Sequence, residues 1–260
     1  MRLLTFLSDF GSWSPYPAAM KGAAAGGNAV FVDISHDVPR HDIRAGAYLL
    51  WSAAPAFPPG TVHCAVVDPG VGGARAALAV ASGGHVFVGP DNGLLIPAAR
   101  RLGAPRVFRL IASPGGDTVV SSTFHGRDVF APAAARLAAG EAVETIARPV
   151  DDFTDLVFPA GRRRGRRLEG EVLWVDPFGN LITTIPGGLF ADIAANGAVR
   201  VHVGAGSMTA TVGKTFGAVP RGKAVAYVGS DGVVEVAINQ GSAAALTEAV
   251  AGARVSIGPI

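Results

Sequence analysis

Four carboxylates stand where a short apolar run gives way to polar sequence. They are Asp9 in Ser8-Asp9-Phe10-Gly11, Asp33 in Asp33-Ile34-Ser35-His36-Asp37, Asp68 in Val66-Val67-Asp68-Pro69-Gly70-Val71-Gly72, and Asp91 in Gly89-Pro90-Asp91-Asn92-Gly93. Arg75 follows the third of these, and Thr123-Phe124-His125-Gly126-Arg127-Asp128 opens a predicted helix. A carboxylate, a guanidinium and an imidazole together can orient a nucleophile and stabilise charge that develops on it. A metal-dependent hydrolase could draw ligands from His36, His41, Asp9, Asp33, Asp68 and Asp91. The chain, however, has no H-x-H or H-E-x-x-H spacing. Phe10-Gly11-Ser12-Trp13 does not supply the G-x-G-x-x-G of a dinucleotide fold, and Pro69-Gly70-Val71-Gly72-Gly73 reads as a tight turn.

Such groups act only if the backbone brings them together. Leu3–Leu7, Ala29–Ile34, Thr61–Val67, Ala76–Ala81, His85–Val88 and Arg106–Ile111 are short apolar runs of the kind buried strands require. Ala18–Ala25, Asp42–Ala54 and Asn92–Leu102 between them suit helices. This alternation predicts an α/β N-terminal domain with a mainly parallel sheet, whose ligands would sit beyond the strands' carboxyl ends. Past residue 168 the texture changes. Glu171–Val175, Leu181–Ile185, Val199–Val203, Met208–Val212, Ala224–Val228 and Val233–Ile238 are β-rich runs parted by Gly-containing turns, and only Ser242–Ala251 reads as helix. A smaller C-terminal β-barrel or sandwich-like domain is expected. The predicted division is 1–161 and 168–260, with a linker at 162–167.

Composition narrows the classes. Of 260 residues, 49 % are hydrophobic, enough to build a core despite 35 Gly and 18 Pro. No run reaches the length of a membrane span, and the apolar start is too short for a signal peptide. The single cysteine, Cys64, allows no internal disulfide and fits a reducing compartment, so a cytoplasmic protein with no membrane partner is expected. The formal charge of +2 depends on five arginines in Arg162-Arg163-Arg164-Gly165-Arg166-Arg167. That run lacks interleaved aromatics, so it reads as a solvated linker and no nucleic-acid partner is expected.

Six segments occur in one order: Ser8-Asp9-Phe10-Gly11, Met20-Lys21-Gly22, Asp33-Ile34-Ser35-His36, Val66-Val67-Asp68-Pro69-Gly70-Val71-Gly72, Gly89-Pro90-Asp91-Asn92-Gly93-Leu94 and Asp176-Pro177-Phe178-Gly179-Asn180. Together they resemble the S-adenosyl-L-methionine hydroxide adenosyltransferase family, relatives of the fluorinase and chlorinase enzymes, over about residues 3 to 245. The resemblance implies that S-adenosyl-L-methionine is split at the ribose C5′ by water-derived oxygen, giving adenosine and L-methionine. It implies no metal and no cofactor. The sulfonium leaves as a neutral thioether, so the chemical demand falls on the nucleophile.

The resemblance also implies roles for residues. Asp68, Arg75 and His125 correspond to the catalytic set around the water. Asp9 corresponds to the ribose-diol carboxylate. Phe178, Asn180 and Phe216 correspond to adenosyl contacts, and Asp176 and Ser230 to contacts of the methionine ammonium and carboxylate. Halide-using relatives carry an aromatic residue where Asp68 stands. Ser14 occupies a position where relatives usually have Asp, which implies weaker hold on the ammonium. The resemblance further implies a homotrimer with its sites between subunits. A halide-using adenosyltransferase, a non-catalytic adenosine or S-adenosylmethionine binding module and a metal-dependent phosphoesterase remain as rival readings.

Overall fold

The computed structural model describes residues 2–111, 120–195 and 197–260. The chain divides into two compact units, Met1–Val157 and Phe158–Ile260.

In the first unit β1 (Leu3–Ser8), α1 (Tyr16–Ala24), β2 (Val30–Ser35), α2 (Ile43–Ala53) and β3 (Val62–Val66) lead into β4 (Ala77–Ser82) and β5 (His85–Pro90). Then follow α3 (Ile96–Leu102), β6 (Arg106–Leu110), α4 (Ala131–Ala139), α5 (Val143–Ile146) and β7 (Ala147–Pro149). The strand order is β2-β1-β3-β5-β4-β6-β7. Strands β2, β1, β3 and β5 run parallel, while β4, β6 and β7 add antiparallel ladders. The antiparallel half follows from chain length: Gly83-Gly84 leaves room only for a hairpin between β4 and β5.

Side-chain alternation on β1 explains its two-sided burial. Leu4 and Phe6 enter a core with Cys64 and Val66 of β3, Met20 and Ala24 of α1, and Ala134 and Leu137 of α4. Leu7 points the other way, where α2 comes so close that a Cβ on Gly46 would meet Leu7, Val67 and Leu94. Asp42 caps α2 by accepting the Ala45 N–H. Helices therefore cover both faces, and the carboxyl ends of β1, β2 and β3 stay free of them.

The second unit contains β8 (Arg162–Arg164), β9 (Arg167–Val175), β10 (Leu181–Pro186), α6 (Gly187–Ala194), β11 (Ala198–Val203) and β12 (Gly206–Val212). It ends with β13 (Ala224–Val228), β14 (Val233–Ile238), α7 (Ala243–Thr247) and β15 (Arg254–Pro259). Strand β9 bonds to both β10 and β15, which closes β9-β10-β14-β13-β12-β11-β15 into a barrel, and β8 is appended outside it. Leu168, Val172, Val199, Val201, Val236 and Ile257 fill its interior.

The segment 162–167, expected to be a linker, is instead the β8–β9 hairpin. Arg162 pairs with Glu169 and Arg164 with Arg167. Gly165, at φ +58°, makes the turn that the arginine-rich composition hides. The predicted helix Ser242–Ala251 shortens to α7 because Glu248 turns left-handed at φ 54°. Helix α6 and strand β15 have no counterpart in the sequence reading.

Candidate functional site

Asp68 lies just beyond the end of β3, Arg75 two residues before β4, and His125 immediately before the π-helical turn Gly126–Phe130 that leads into α4. The structure brings all three together. Arg75 Nε donates to Asp68 Oδ1 and Oδ2 at 3.1 and 3.2 Å, and its Nη2 donates to Asp68 Oδ2. The same Nη2 lies 2.7 Å from Nδ1 of His125. The Asp68 and Arg75 side chains are only 4 % and 12 % exposed, so this is a largely desolvated ion pair. The guanidinium also sits 5.1 Å from the Phe130 ring centre.

This geometry assigns a tautomer. A guanidinium keeps its protons, so the His125 nitrogen that faces it must offer a lone pair. The neutral ring then carries its proton on Nε2 and presents it away from Arg75. Burial and the neighbouring Arg75 charge lower the His125 pKa below the usual value, against the opposing pull of Asp68 and Asp128.

Backbone turns set the spacing. Val71 N–H donates to the Asp68 carbonyl and Gly73 N–H to that of Gly70. Gly72, at φ +76°, passes so close to the Ser122 carbonyl that no Cβ fits there. The Asp68–Arg75 loop and the His125 segment are thus in direct backbone contact. Asn92 Nδ2 donates to the Val67 carbonyl at 2.8 Å and fixes the start of the loop. Phe10, Tyr16 and Phe124 form a ring cluster with centre separations of 5.4–5.9 Å, which anchors the approach to His125.

Asp9 leaves the end of β1 beside the end of β3, since Ser8 pairs with Val66. Its Oδ2 accepts the His41 N–H at 2.9 Å. His41 holds φ 65° to make that contact. Beneath Asp9 runs a hydrogen-bonded chain that the sequence reading did not assemble. Lys21 Nζ donates to Asp33 at 2.6 Å, His36 Nε2 to Asp33 at 3.1 Å, and the Ser8 hydroxyl to His36 Nδ1 at 2.7 Å. Burial holds the His36 pKa below its usual value although Asp33 opposes it, so the ring is neutral. Ser8 is fully buried, so this Ser-His-Asp set cannot act as a nucleophile and instead ties the β1 and β2 ends together. Its signal was the Asp33–His36 spacing next to Ser8, legible only once β1 and β2 are known to be neighbours.

Two of the candidate metal donors, Asp33 and Asp91, have hydrogen-bond partners of their own. Asp33 is held by Lys21 and His36, and Asp91 accepts the Thr154 N–H at 2.7 Å. Among the described residues no three His, Cys, Asp or Glu side chains are grouped to hold a metal ion.

In the second unit Asp176, Phe178 and Asn180 belong to the β9–β10 turn. Asp176 Oδ1 accepts the Phe178 and Asn180 N–H groups at 2.9 and 2.8 Å, and its Oδ2 accepts from Asn180 Nδ2 at 2.9 Å. The Asn180 backbone carbonyl in turn accepts the Asp176 N–H at 3.1 Å. Phe178 and Phe216 are 78 % and 57 % exposed, far more than core aromatics would be. Ser230 is exposed in the β13–β14 turn. Glu235 was not singled out from sequence. It faces Tyr227 across β13–β14, and burial, with Asp176 and Asp231 nearby, raises its pKa against the opposing Tyr227 hydrogen bond. Among the described residues no helix is long and apolar enough to cross a membrane.

Comparison with known proteins agrees along nearly the whole chain. Residues 4–147 match the family model described as the SAM hydroxide adenosyltransferase N-terminal domain, and residues 170–256 match that of its C-terminal domain. A relative from Thermus thermophilus, named (R)-S-adenosyl-L-methionine hydrolase, is 46 % identical over 257 residues, covering 94 % of each chain. A fluorinase from an Actinoplanes species is 25 % identical over 70 % of this chain and 71 % of its own. A crystal structure described as an uncharacterized conserved protein from Thermotoga maritima superposes with a TM-score of 0.93 at 33 % identity, covering 98 % of this chain and 99 % of its own.

Proposed function

The chain belongs to the SAM hydroxide adenosyltransferase family, and we propose that it hydrolyses S-adenosyl-L-methionine at the ribose C5′ to adenosine and L-methionine. The observation that supports the site assignment best is the single guanidinium of Arg75 joining Asp68 and His125.

In the proposed reaction a water molecule donates a hydrogen bond to Asp68 and accepts one from His125 Nε2–H. Its remaining lone pair is then free to attack C5′ in line with the departing sulfur. The C5′–O bond forms as the C5′–S bond breaks, and the bonding pair leaves with sulfur, which becomes the neutral thioether of methionine. The excess proton on oxygen passes to Asp68 and then to solvent. Arg75 keeps its protons throughout, stays paired with Asp68 and holds His125 in the required tautomer. His125 is therefore a donor that orients the nucleophile, and Asp68 is the proton acceptor. Water is a weak nucleophile, so the catalytic gain comes from orientation and desolvation. No metal or cofactor enters the scheme.

Asp9 binds the ribose hydroxyls, as a carboxylate with free lone pairs suits two O–H donors. Phe178 and Phe216 offer exposed faces to adenine, and the Asn180 side-chain oxygen suits its amino group. Asp176 and Ser230 take the ammonium and carboxylate of the methionyl group. The relative's name specifies the R sulfonium epimer, so that epimer is the expected substrate. The proposal includes a cytoplasmic homotrimer in which residues from neighbouring subunits serve one substrate. Sedimentation that finds an active monomer would overturn that part.

Incubation with each sulfonium epimer, with chelator and with chloride, followed by chromatography, tests the function. Equal adenosine and methionine, unaffected by chelator and chloride and lost in Asp68→Ala and His125→Ala, is expected. Chelator-sensitive turnover, or a chlorinated nucleoside, would contradict it.

A further inference from the structure

The arginine run that the catalytic reading leaves unused is built into one flank of the barrel. Along β8, β9, β15 and β11 the buried residues Leu168, Val199, Val201, Val203, Val255 and Ile257 alternate with side chains that face outward. The strand register arranges those outward groups in rows. One row runs Arg164, Arg167, Gly258, Arg200, and the next runs Arg162, Glu169, Ser256, His202. A third sets Glu171 opposite Arg254 in the ladder, without an ion pair between them. Gly258 matters to the first row: a Cβ there would meet the Arg167 stem at 2.9 Å, so the missing side chain lets Arg167 lie across β15 towards Arg200.

These rows enclose space. A cleft of about 570 Å³ is lined by Arg162, Arg164, Arg254, His202, Glu169 and Glu171. A second hollow of about 280 Å³, walled by Arg167 and Arg200, shares His202 with it. The positive charge is not neutralised internally. Arg162 and Arg164 share Glu169 at 3.8 and 3.5 Å, and both are 76 % exposed. Among the described residues Arg167, Arg200 and Arg254 meet no carboxylate. Arg163 turns away and pairs with Asp192 beside α6, and Arg166 lines neither hollow. Five guanidiniums against two carboxylates leave a recess with net positive charge, in a fold that gains nothing from placing them together.

We propose that this recess on the β8–β9–β15–β11 flank is a binding site for a compact oligophosphate anion, such as the phosphate chain of a nucleotide. Forked guanidiniums suit the several oxygens of linked phosphates. The cleft volume lies within the range of small-molecule sites. A nucleic-acid strand fits less well, because the lining carries no Phe, Tyr or Trp on which bases could stack, and its two carboxylates would repel a continuous phosphate backbone. The inference is independent of the hydrolase reading.

The probe is inorganic tripolyphosphate, titrated calorimetrically into the full-length protein at low salt. Saturable binding at one site per chain is expected, weakening by roughly tenfold or more between about 50 and about 200 mM salt. The double variant Arg162→Ala/Arg254→Ala should bind about tenfold more weakly or not at all, with its circular dichroism and S-adenosylmethionine turnover unchanged. A control of equal charge change on the first unit, Arg100→Ala/Arg106→Ala, should bind as the wild type does. Absence of saturable binding, or equal loss in the control, would overturn the proposal. So would binding of a single-stranded RNA oligomer or anionic vesicles without binding of tripolyphosphate.

Discussion

Replacing His63 with Phe should remove a specific part of the protein's acid sensitivity. His63 lies on β3 with no exposed surface, its ring stacked 4.7 Å from Phe87 and 5.3 Å from His85. Thr5 Oγ1 and His85 Nδ1 sit at 2.8 and 3.1 Å from its two nitrogens. Burial, with the adjacent His85, lowers its pKa to about 3. In the unfolded chain the same ring titrates near 6.5. The unfolded state therefore binds more protons below that value, and stability falls as pH falls from about 6.5 towards about 3. At about pH 5 the loss from this one group is about 2 kcal/mol, and the full difference approaches about 5 kcal/mol at lower pH. Urea unfolding at about pH 7.5 and about pH 5 would measure it. The variant should be less stable at neutral pH, because Thr5 and His85 each lose a partner at about 1–3 kcal/mol. Its further loss on acidification should nevertheless be about 2 kcal/mol smaller than that of the wild type. His63→Gln, which cannot titrate either, should show the same reduced slope. Equal acid losses in all three proteins would refute the reasoning.

Other consequences follow from single contacts. Asp68→Asn should lower kcat by about 10²–10⁴-fold, the range for a general base, while S-adenosylmethionine binding changes by only a few-fold in calorimetry. Because the His125 pKa is lowered, any acidic limb of kcat/KM that reports it should lie below about 6.5, and a pH profile should show no inflection from it between about 7 and 9. Gly72→Ala should cut turnover more than it lowers the melting temperature, since a Cβ there forces the Asp68–Arg75 loop away from the His125 segment. The Cys64 thiol is fully buried and burial pushes its pKa up, so a thiol reagent should label it only after denaturation.

Strands β1 and β3 were legible because both faces are buried and largely apolar, as Phe6 and Leu7 on β1 and Cys64 and Ala65 on β3 show, with Thr5, Ser8 and His63 the polar exceptions. The ends of those strands then located Asp9, Asp33 and Asp68. The β8–β9 hairpin was hidden because its inward residue, Arg163, is charged and meets Asp192 and the Leu189 carbonyl rather than the core. Helix α6 begins Gly187-Gly188, a poor start by propensity, and survives by burying Phe190 and Ile193 against the barrel. Glu235 and the Ser8–His36–Asp33 chain escaped notice for a different reason. Their meaning depends on cross-strand neighbours, Tyr227 in one case and the β1–β2 pairing in the other, and pattern within a segment carries no such information. The catalytic set lay between these extremes. Its residue types were readable from the sequence, but the hydrogen bond from Arg75 to His125, on which the proposed proton route depends, spans 50 residues of chain and is a property of the fold.

The central claim is that water oxygen, oriented by Asp68 and His125, becomes the 5′ hydroxyl of the nucleoside product. It is tested most directly by running the reaction with (R)-S-adenosyl-L-methionine in heavy-oxygen water and weighing both products by mass spectrometry. Adenosine carrying one heavy oxygen, beside unlabelled methionine, is expected. Adenosine without label, or a product in which C5′ carries a group other than hydroxyl, would contradict the account.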